Sequence, residues 1–427
     1  MNIVLIHYSA PPVVGGVETI LARQAQVLAQ AGHRVRILAG RGETWDALIP
    51  VQKLPLIDSR HPLILKARAS LEDGVVPEDF PKLVAQIEKE LLRWLDGADV
   101  VICHNVASVH RNLALTQALY NISQANNPEI SEAGQGNPPP RFILWHHDLS
   151  CASPRAQKDL HPGLPWDLLR QHWNGVHQVV VSKARQSELS RAIGLPEDHI
   201  QVISAGLTLT DFLGLKRHTL PILENLHLAL AEPLLLTPVR VARRKNLEQA
   251  ISTLATLRKT FPNAMLVITG PARGANQTSN DAYLKTLIRL REKLNLDGSV
   301  HILAERYPDG LPEDSLADLY RLADALLLTS REEGFGIPVL EAGLSRLPIF
   351  CTNLPSLREL AGEEATYFSP HDSPERVAAR IAAHLQNDPA YRMRARVRQH
   401  HTWDAVYHLQ IEPLLENRAA PSGSEGE

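Results

Sequence analysis

Short apolar runs alternate with stretches of helical periodicity along most of this chain, and the alternation recurs in two blocks. Residues 2–7 (NIVLIH), 35–39, 100–104, 142–145 and 179–182 are the runs of the first block. Residues 234–238, 264–269, 300–303, 325–329 and 349–352 are those of the second, and 349–352 is expected to close its sheet. A brief apolar run with no polar alternation is what a strand covered on both faces requires, and a helix between successive runs is the crossover of a parallel sheet. Helices are expected over about 18–31, closed by Gly32, and over 246–260, 283–294 and 315–323. The fold class is therefore α/β. At 427 residues the chain exceeds one compact core, so the pattern predicts two Rossmann-like, doubly wound parallel-sheet domains facing a cleft. The boundary falls between about 204 and 232; domains of 1–207 and 208–400 follow, with a disordered tail over 418–427. Residues 124–140, polar and rich in Pro, Gly and Asn, are expected to form a mobile surface loop.

Composition excludes several classes. The formal net charge of −3 gives no general attraction to nucleic acid. Three well-separated cysteines, Cys103, Cys151 and Cys351, argue against a disulfide framework or zinc site and favour a reducing cytoplasm. The N-terminal apolar run is four residues long and lacks a basic flank, so it is expected to be a first strand and not a signal peptide. No apolar stretch approaches membrane-spanning length. Residues 62–68 (PLILKAR) fit a partly covered surface helix better than a membrane patch, with peripheral contact left open.

Residues 331–346, REEGFGIPVLEAGLSR, carry the densest chemistry. The run Ala325–Leu328 precedes them, and Pro338 suits a first helical position, so the segment is expected to be strand, glycine loop and helix. Glu333 then lies in the loop and Glu341 in the first helical turn, both beside unpaired backbone N–H groups at the positive end of a helix. Such an end attracts phosphate, and a carboxylate beside it accepts hydrogen bonds from hydroxyls. A ligand both phosphorylated and polyhydroxylated, such as a nucleotide sugar, suits both properties.

Arg240 ends a strand and Lys245 opens the next helix; together they suit a diphosphate, whose departing charge fixed cations stabilise. A solvated basic turn fits the same residues, because Arg243 and Arg244 are basic too. Gly15 and Gly16 permit positive φ and close backbone approach to a phosphate, or simply a tight turn. Trp145-His146-His147-Asp148 ends a strand, so the two histidines point to opposite faces, and one of them suits a sugar hydroxyl or a structural place. Trp145, Trp166 and Trp173 are expected mostly in the core. The chain has no Asp-x-Asp, H-E-x-x-H, G-x-x-x-x-G-K or G-x-S-x-G. Metal-clamped diphosphate, zinc hydrolase, P-loop and serine hydrolase readings therefore lose support, and no metal is expected.

Taken together, these residues resemble the retaining GT-B glycosyltransferases of family 4. The likeness runs from the glycine pair to about residue 360 and is strongest over 316–360, where Glu333 and Glu341 show the family's E-x7-E spacing. The resemblance implies that Glu341 binds the ribose, that Glu333 contacts the transferred sugar, and that backbone amides at Gly334, Phe335 and Gly336 lie against sugar and phosphate. It gives Arg240 and Lys245 to the diphosphate, Gly16 beside Gly15 to a phosphate-side amide, and His147 to the anomeric carbon. Gly270 and Ile337 complete the donor-binding set. A C-terminal helix over 401–417, with Trp403 and Leu409, is expected to cross back onto the acceptor-side first domain. Two departures stand out. Ala205-Gly206-Leu207-Thr208 replaces the family's Asn-Gly-Val-Asp, and Arg346 stands where a glycine is often found.

The function so implied is a cytoplasmic, retaining, metal-independent hexosyltransferase. His147, Arg240, Lys245 and Glu333 would be its catalytic set. It would use no cofactor, taking a UDP- or GDP-linked sugar as co-substrate and a sugar, small polyol or lipid-linked acceptor. Alternatives on the same fold are a sugar-nucleotide epimerase, a phosphorylase, or a non-catalytic nucleotide-sugar binding module.

Overall fold

The computed structural model describes residues 1–125, 139–272 and 277–416. Most of the loop expected over 124–140 and the expected tail 418–427 lie outside the described residues. The chain divides into two compact units, Met1–Gly206 together with the segment from Trp403, and Leu207–Thr402.

The first unit is built on a seven-stranded sheet. Its strands are β1 (Asn2–Ser9), β2 (Arg34–Arg41), β3 (Val51–Lys53), β4 (Val100–His104), β5 (Arg141–His146), β6 (His177–Val180) and β7 (Ile200–Val202). They run parallel in the order β3-β2-β1-β4-β5-β6-β7. Alternation along β1 serves two layers at once. Val4, Ile6 and Tyr8 enter a core with the helix Phe80–Leu95, whereas Ile3 and Leu5 enter one with the helix Gly16–Gln30. That second layer also holds Trp403, Val406, Tyr407 and Ile411. Leu409, expected to dock with Trp403, is instead 49% exposed, because its position falls on the outer face of the same helical segment. Trp145, Trp166 and Trp173 are all buried.

The second unit carries β8 (Leu234–Thr237), β9 (Met265–Ile268), β10 (Val300–Ile302), β11 (Ala325–Leu328), β12 (Ile349–Thr352) and β13 (Ala365–Phe368). The order is β10-β9-β8-β11-β12-β13, again all parallel. β12 does not close this sheet as expected: β13 pairs beyond it, with Ile349 opposite Ala365. The central strands β8 and β11 are buried at every position, as a strand covered by helices on both faces must be.

Both sheets reverse their strand order once, between β1 and β4 and between β8 and β11. In open parallel sheets the connections leaving the carboxyl ends at such a reversal diverge to opposite faces and leave a crevice for ligand. The residues singled out from sequence cluster at these two reversals.

Candidate active site

At the β8/β11 reversal the loops are fastened to one another by side chains. Thr237 Oγ1 donates to Leu327 O at 2.8 Å, tying the strand ends. Thr329 Oγ1 bridges to the carbonyls of Lys245 (3.0 Å) and Asn246 (2.9 Å), so the turn after β8 is held by the residue just beyond β11. Thr352 Oγ1, at the end of β12, donates to Ser330 O at 2.7 Å. This scaffold brings Lys245 Nζ onto the Glu333 carboxylate. The same carboxylate accepts from Ser330 Oγ at 3.1 Å, and Ser356 Oγ donates to Glu333 O at 2.8 Å. Lys245 is buried, whereas Arg240 is exposed and has no partner among the described residues. Arg240 lies in the loop beyond β8 and not at the strand end as expected, and Lys245 sits in a short turn before the helix Leu247–Leu257 and does not open it. Gly270 packs against the Arg240 backbone: a Cβ there would lie 2.1 Å from Val239 O and 2.4 Å from Arg240 N.

The helix after Glu333 is Ile337–Leu344, with Pro338 within its first two positions. Glu341 therefore sits in the second turn, not the first as expected, since the helix starts one residue before the proline. Its carboxylate accepts from Tyr320 Oη at 2.6 Å. Burial, together with that bond, pushes the Tyr320 phenol far up, so it remains a donor. Gly336 takes φ 103°, and Gly334 stands in open space. This turn leaves Phe335 (55% exposed) and Ile337 (58%) facing outward, two large apolar groups next to a charged loop. Arg346 adopts φ 57°, the left-handed conformation in which glycine is favoured; the departure from the family pattern changes the side chain but keeps the turn.

At the β1/β4 reversal the first unit gathers a polar network. His7 Nδ1 meets His104 O at 2.9 Å, and His104 Nδ1 meets His147 Nε2 at 3.0 Å. Asn105 Oδ1 accepts from the His147 and Asp148 backbone N–H groups (2.7 and 3.1 Å). His146 instead pairs with Gln178 Oε1 at 2.8 Å, so the adjacent histidines do serve different partners. Burial, with like-charge repulsion from His7 and His146, pushes the His147 imidazole down to about 3; burial holds His146 at about 4. His7 and His104 are lowered as well, mainly by burial. All four are neutral near pH 7.

Gly15 and Gly16 do not take positive φ as expected. Gly15 is extended at φ −173° and Gly16 begins the helix Gly16–Gln30. The steric demand is at Gly15, where a Cβ would lie 2.1 Å from Glu18 Oε2. That carboxylate also accepts from Ser9 Oγ at 2.6 Å and lies 3.9 Å from His7 Nε2. A cavity of about 1080 Å³ opens here, lined by Gly15, Gly16, Glu18, Asn105, Asp148 and several cations. Glu72, His110 and Asp159 lie within it, close enough to share an ion, although Arg68 Nε already holds Glu72 at 2.6 Å. Sequence reasoning missed Tyr320, His104, Asn105 and the cations that line this cavity. Tyr320 had a signal, since a polar aromatic on the apolar stripe of an amphipathic helix needs a partner for its hydroxyl.

Residues 223–401, almost the whole second unit, match the family model described as Glycosyl transferases group 1. The chain carries a group 1 glycosyltransferase domain. Lys245, Glu333, Tyr320 and Glu341 all lie within this domain. Curated relatives include the serotype-specific mannosyltransferase WbdA of Escherichia coli, 38% identical over 80 residues, 18% of this chain and 10% of that protein. The chain thus spans about a tenth of the length of the first curated relatives it matches. Mannosylglucosylglycerate synthase of Petrotoga mobilis aligns over 83% of both chains at 22% identity. Among solved structures, Anabaena HepE in complex with UDP-glucose is aligned over 98% of this chain and 100% of its own at 18% identity, with a TM-score of 0.35. No described helix is long and apolar enough to cross a membrane.

Proposed function

We propose that this chain is a retaining, metal-independent glycosyltransferase that moves a hexose from a UDP- or GDP-linked sugar to an acceptor hydroxyl. The observation that carries the reading is the buried Lys245–Glu333 pair at the strand-order reversal of the group 1 domain. A cation and a carboxylate fixed side by side suit the two halves of such a donor. Lys245, with exposed Arg240, stabilises the leaving diphosphate, while Glu333 accepts hydrogen bonds from the sugar. Glu341, oriented by Tyr320, takes the ribose hydroxyls. The Gly334–Ile337 loop and Gly270 offer backbone to the donor. His147 is neutral, so its part is to hold a hydroxyl by hydrogen bonding and not to deliver a proton. With no Asp-x-Asp in the chain, Arg240 and Lys245 supply the positive charge that a metal otherwise brings. Relatives named as mannosyltransferases support a hexose. Three free cysteines support a reducing cytoplasm.

A thermal-shift panel of UDP-, GDP- and ADP-sugars identifies the donor, because a ligand bound to the folded state raises the melting point. With that donor and an acceptor, NMR of the product is expected to show the donor's anomeric configuration, and EDTA is expected to leave turnover intact. An inverted product sinks the retaining mechanism, and loss in EDTA restored by a divalent ion sinks the metal-free one. Conversion of donor without any acceptor identifies an epimerase instead, and a strict need for inorganic phosphate a phosphorylase.

A further inference from the structure

The cavity of the first unit is out of electrostatic character with the rest of the chain. Seven Lys or Arg and four Asp or Glu side chains line it, while the whole chain has 44 basic and 47 acidic residues. Three of those cations are neutralised locally, Arg41 by Asp58 at 2.7 Å, Arg68 by Glu72 at 2.6 Å and Arg185 by Glu188. Four others, Arg60, Arg111, Arg155 and Lys158, line the same cavity and have no counter-ion among the described residues. They come from three separate stretches of sequence. Like charges gathered around a concave surface repel one another, and the concavity focuses their field on its interior. An anion inside relieves that repulsion, and guanidinium groups match phosphate or carboxylate oxygens two at a time.

Size and polarity narrow the ligand further. About 1080 Å³ is ample for one small molecule. Asp148, Asp159 and the Ser150 hydroxyl, which meets His110 Nδ1 at 2.8 Å, put hydrogen-bond acceptors on the same wall. Acceptors next to unpaired cations suit a molecule that carries hydroxyls as well as an anionic group. The geometry points to this cavity as the site of a small polyol bearing a phosphate or carboxylate. Naming that polyol the sugar acceptor rests on the glycosyltransferase reading above; the anion site itself does not.

Calorimetry on the full chain without nucleotide tests it, using glucose 6-phosphate, glucuronate and glucose. Both anions are expected to bind at least tenfold more tightly than glucose, and to weaken as salt is raised from 0.05 to 0.5 M. The tighter of the two names the anionic group. The double variant Arg111→Ala/Arg155→Ala, at two exposed positions, should bring both anions to the level of glucose without lowering the melting point or the affinity for UDP or GDP. Equal binding of glucose and the two anions, or undiminished anion binding by the double variant, overturns the proposal. Anion binding in a protein that transfers no sugar would remove the glycosyltransferase reading and leave this site standing.

Discussion

Lys245 and Glu333 form an ion pair with side chains only 7% and 12% exposed, although 88 positions separate them in sequence. Thr329 places the pair by gripping the carbonyl of Lys245 from the loop that carries Glu333. The two residues are therefore one structural unit as well as two candidate ligands. Stability and chemistry at this point are separable only when both partners are changed.

Lys245→Ala leaves a buried carboxylate without its cation, and stranding one partner of a buried pair costs about 3–5 kcal/mol. Sugar transfer should fall by orders of magnitude. Adding Glu333→Gln removes the stranded charge, so the double variant should regain much of the lost stability while activity stays absent. Urea melts of the single and double variants, read beside transfer rates, check this. Activity that recovers together with stability would reduce the pair to a purely structural role.

The two glycines of the Glu333 loop should behave differently. Gly336 has φ 103°, and an added Cβ would meet Leu357 Cδ2 at 2.5 Å. Gly336→Ala should cost about 1–3 kcal/mol through backbone strain and overlap, and should weaken nucleotide-sugar binding by disturbing the Phe335–Ile337 turn. Gly334→Ala meets nothing within 4 Å and should leave the melting point unchanged. Any loss of donor affinity in that variant would then report contact with the ligand. Equal destabilisation by both substitutions would contradict the geometry.

The parallel α/β class and most strands were legible because buried strands announce themselves as apolar runs, of which Val100–His104 and Ile349–Thr352 match the structure residue for residue. The helix Phe80–Leu95 was equally readable, with Phe80, Leu83, Val84, Ile87 and Leu91 on one stripe, but went unassigned. Strands β3 and β13 lie at sheet edges and are short or half-buried, so their pattern is weak. Lys245 and Glu333 were legible as chemistry, but their pairing was not, since it depends on β8 and β11 being neighbours. The cations of the first-unit cavity were illegible for the same reason: Arg60, Arg111 and Lys158 look like ordinary surface charges until the sheet brings their loops together.

Arg346 holds φ 57° beyond the end of the helix Ile337–Leu344. A residue with a Cβ pays roughly 1–2 kcal/mol in the left-handed region, and glycine gives back part of this through its freer unfolded chain. Arg346→Gly should thus raise stability by up to about 1 kcal/mol. A thermal melt checks it, and a fall in the midpoint would mean that the Arg346 side chain makes a stabilising contact of its own.

Acid should unfold the first unit through its histidines. The folded His147 and His146 titrate at about 3 and about 4, and His7 and His104 below their usual value, all chiefly because burial disfavours the imidazolium. In the unfolded chain each returns to about 6.5. Between those limits the unfolded state binds more protons, so stability is fully present above about pH 6.5 and is lost as pH falls toward 4. Each histidine adds up to about 1.4 kcal/mol per pH unit to that slope. All six tryptophans, at 45, 94, 145, 166, 173 and 403, belong to the first unit, so tryptophan fluorescence follows its unfolding alone. Urea midpoints at pH 7.5, 6 and 5 should fall in that order, and His147→Gln should flatten the dependence by one histidine's share. An identical slope in that variant would mean that His147 is already protonated in the folded protein, and its assigned place as a neutral hydrogen-bonding group would fall.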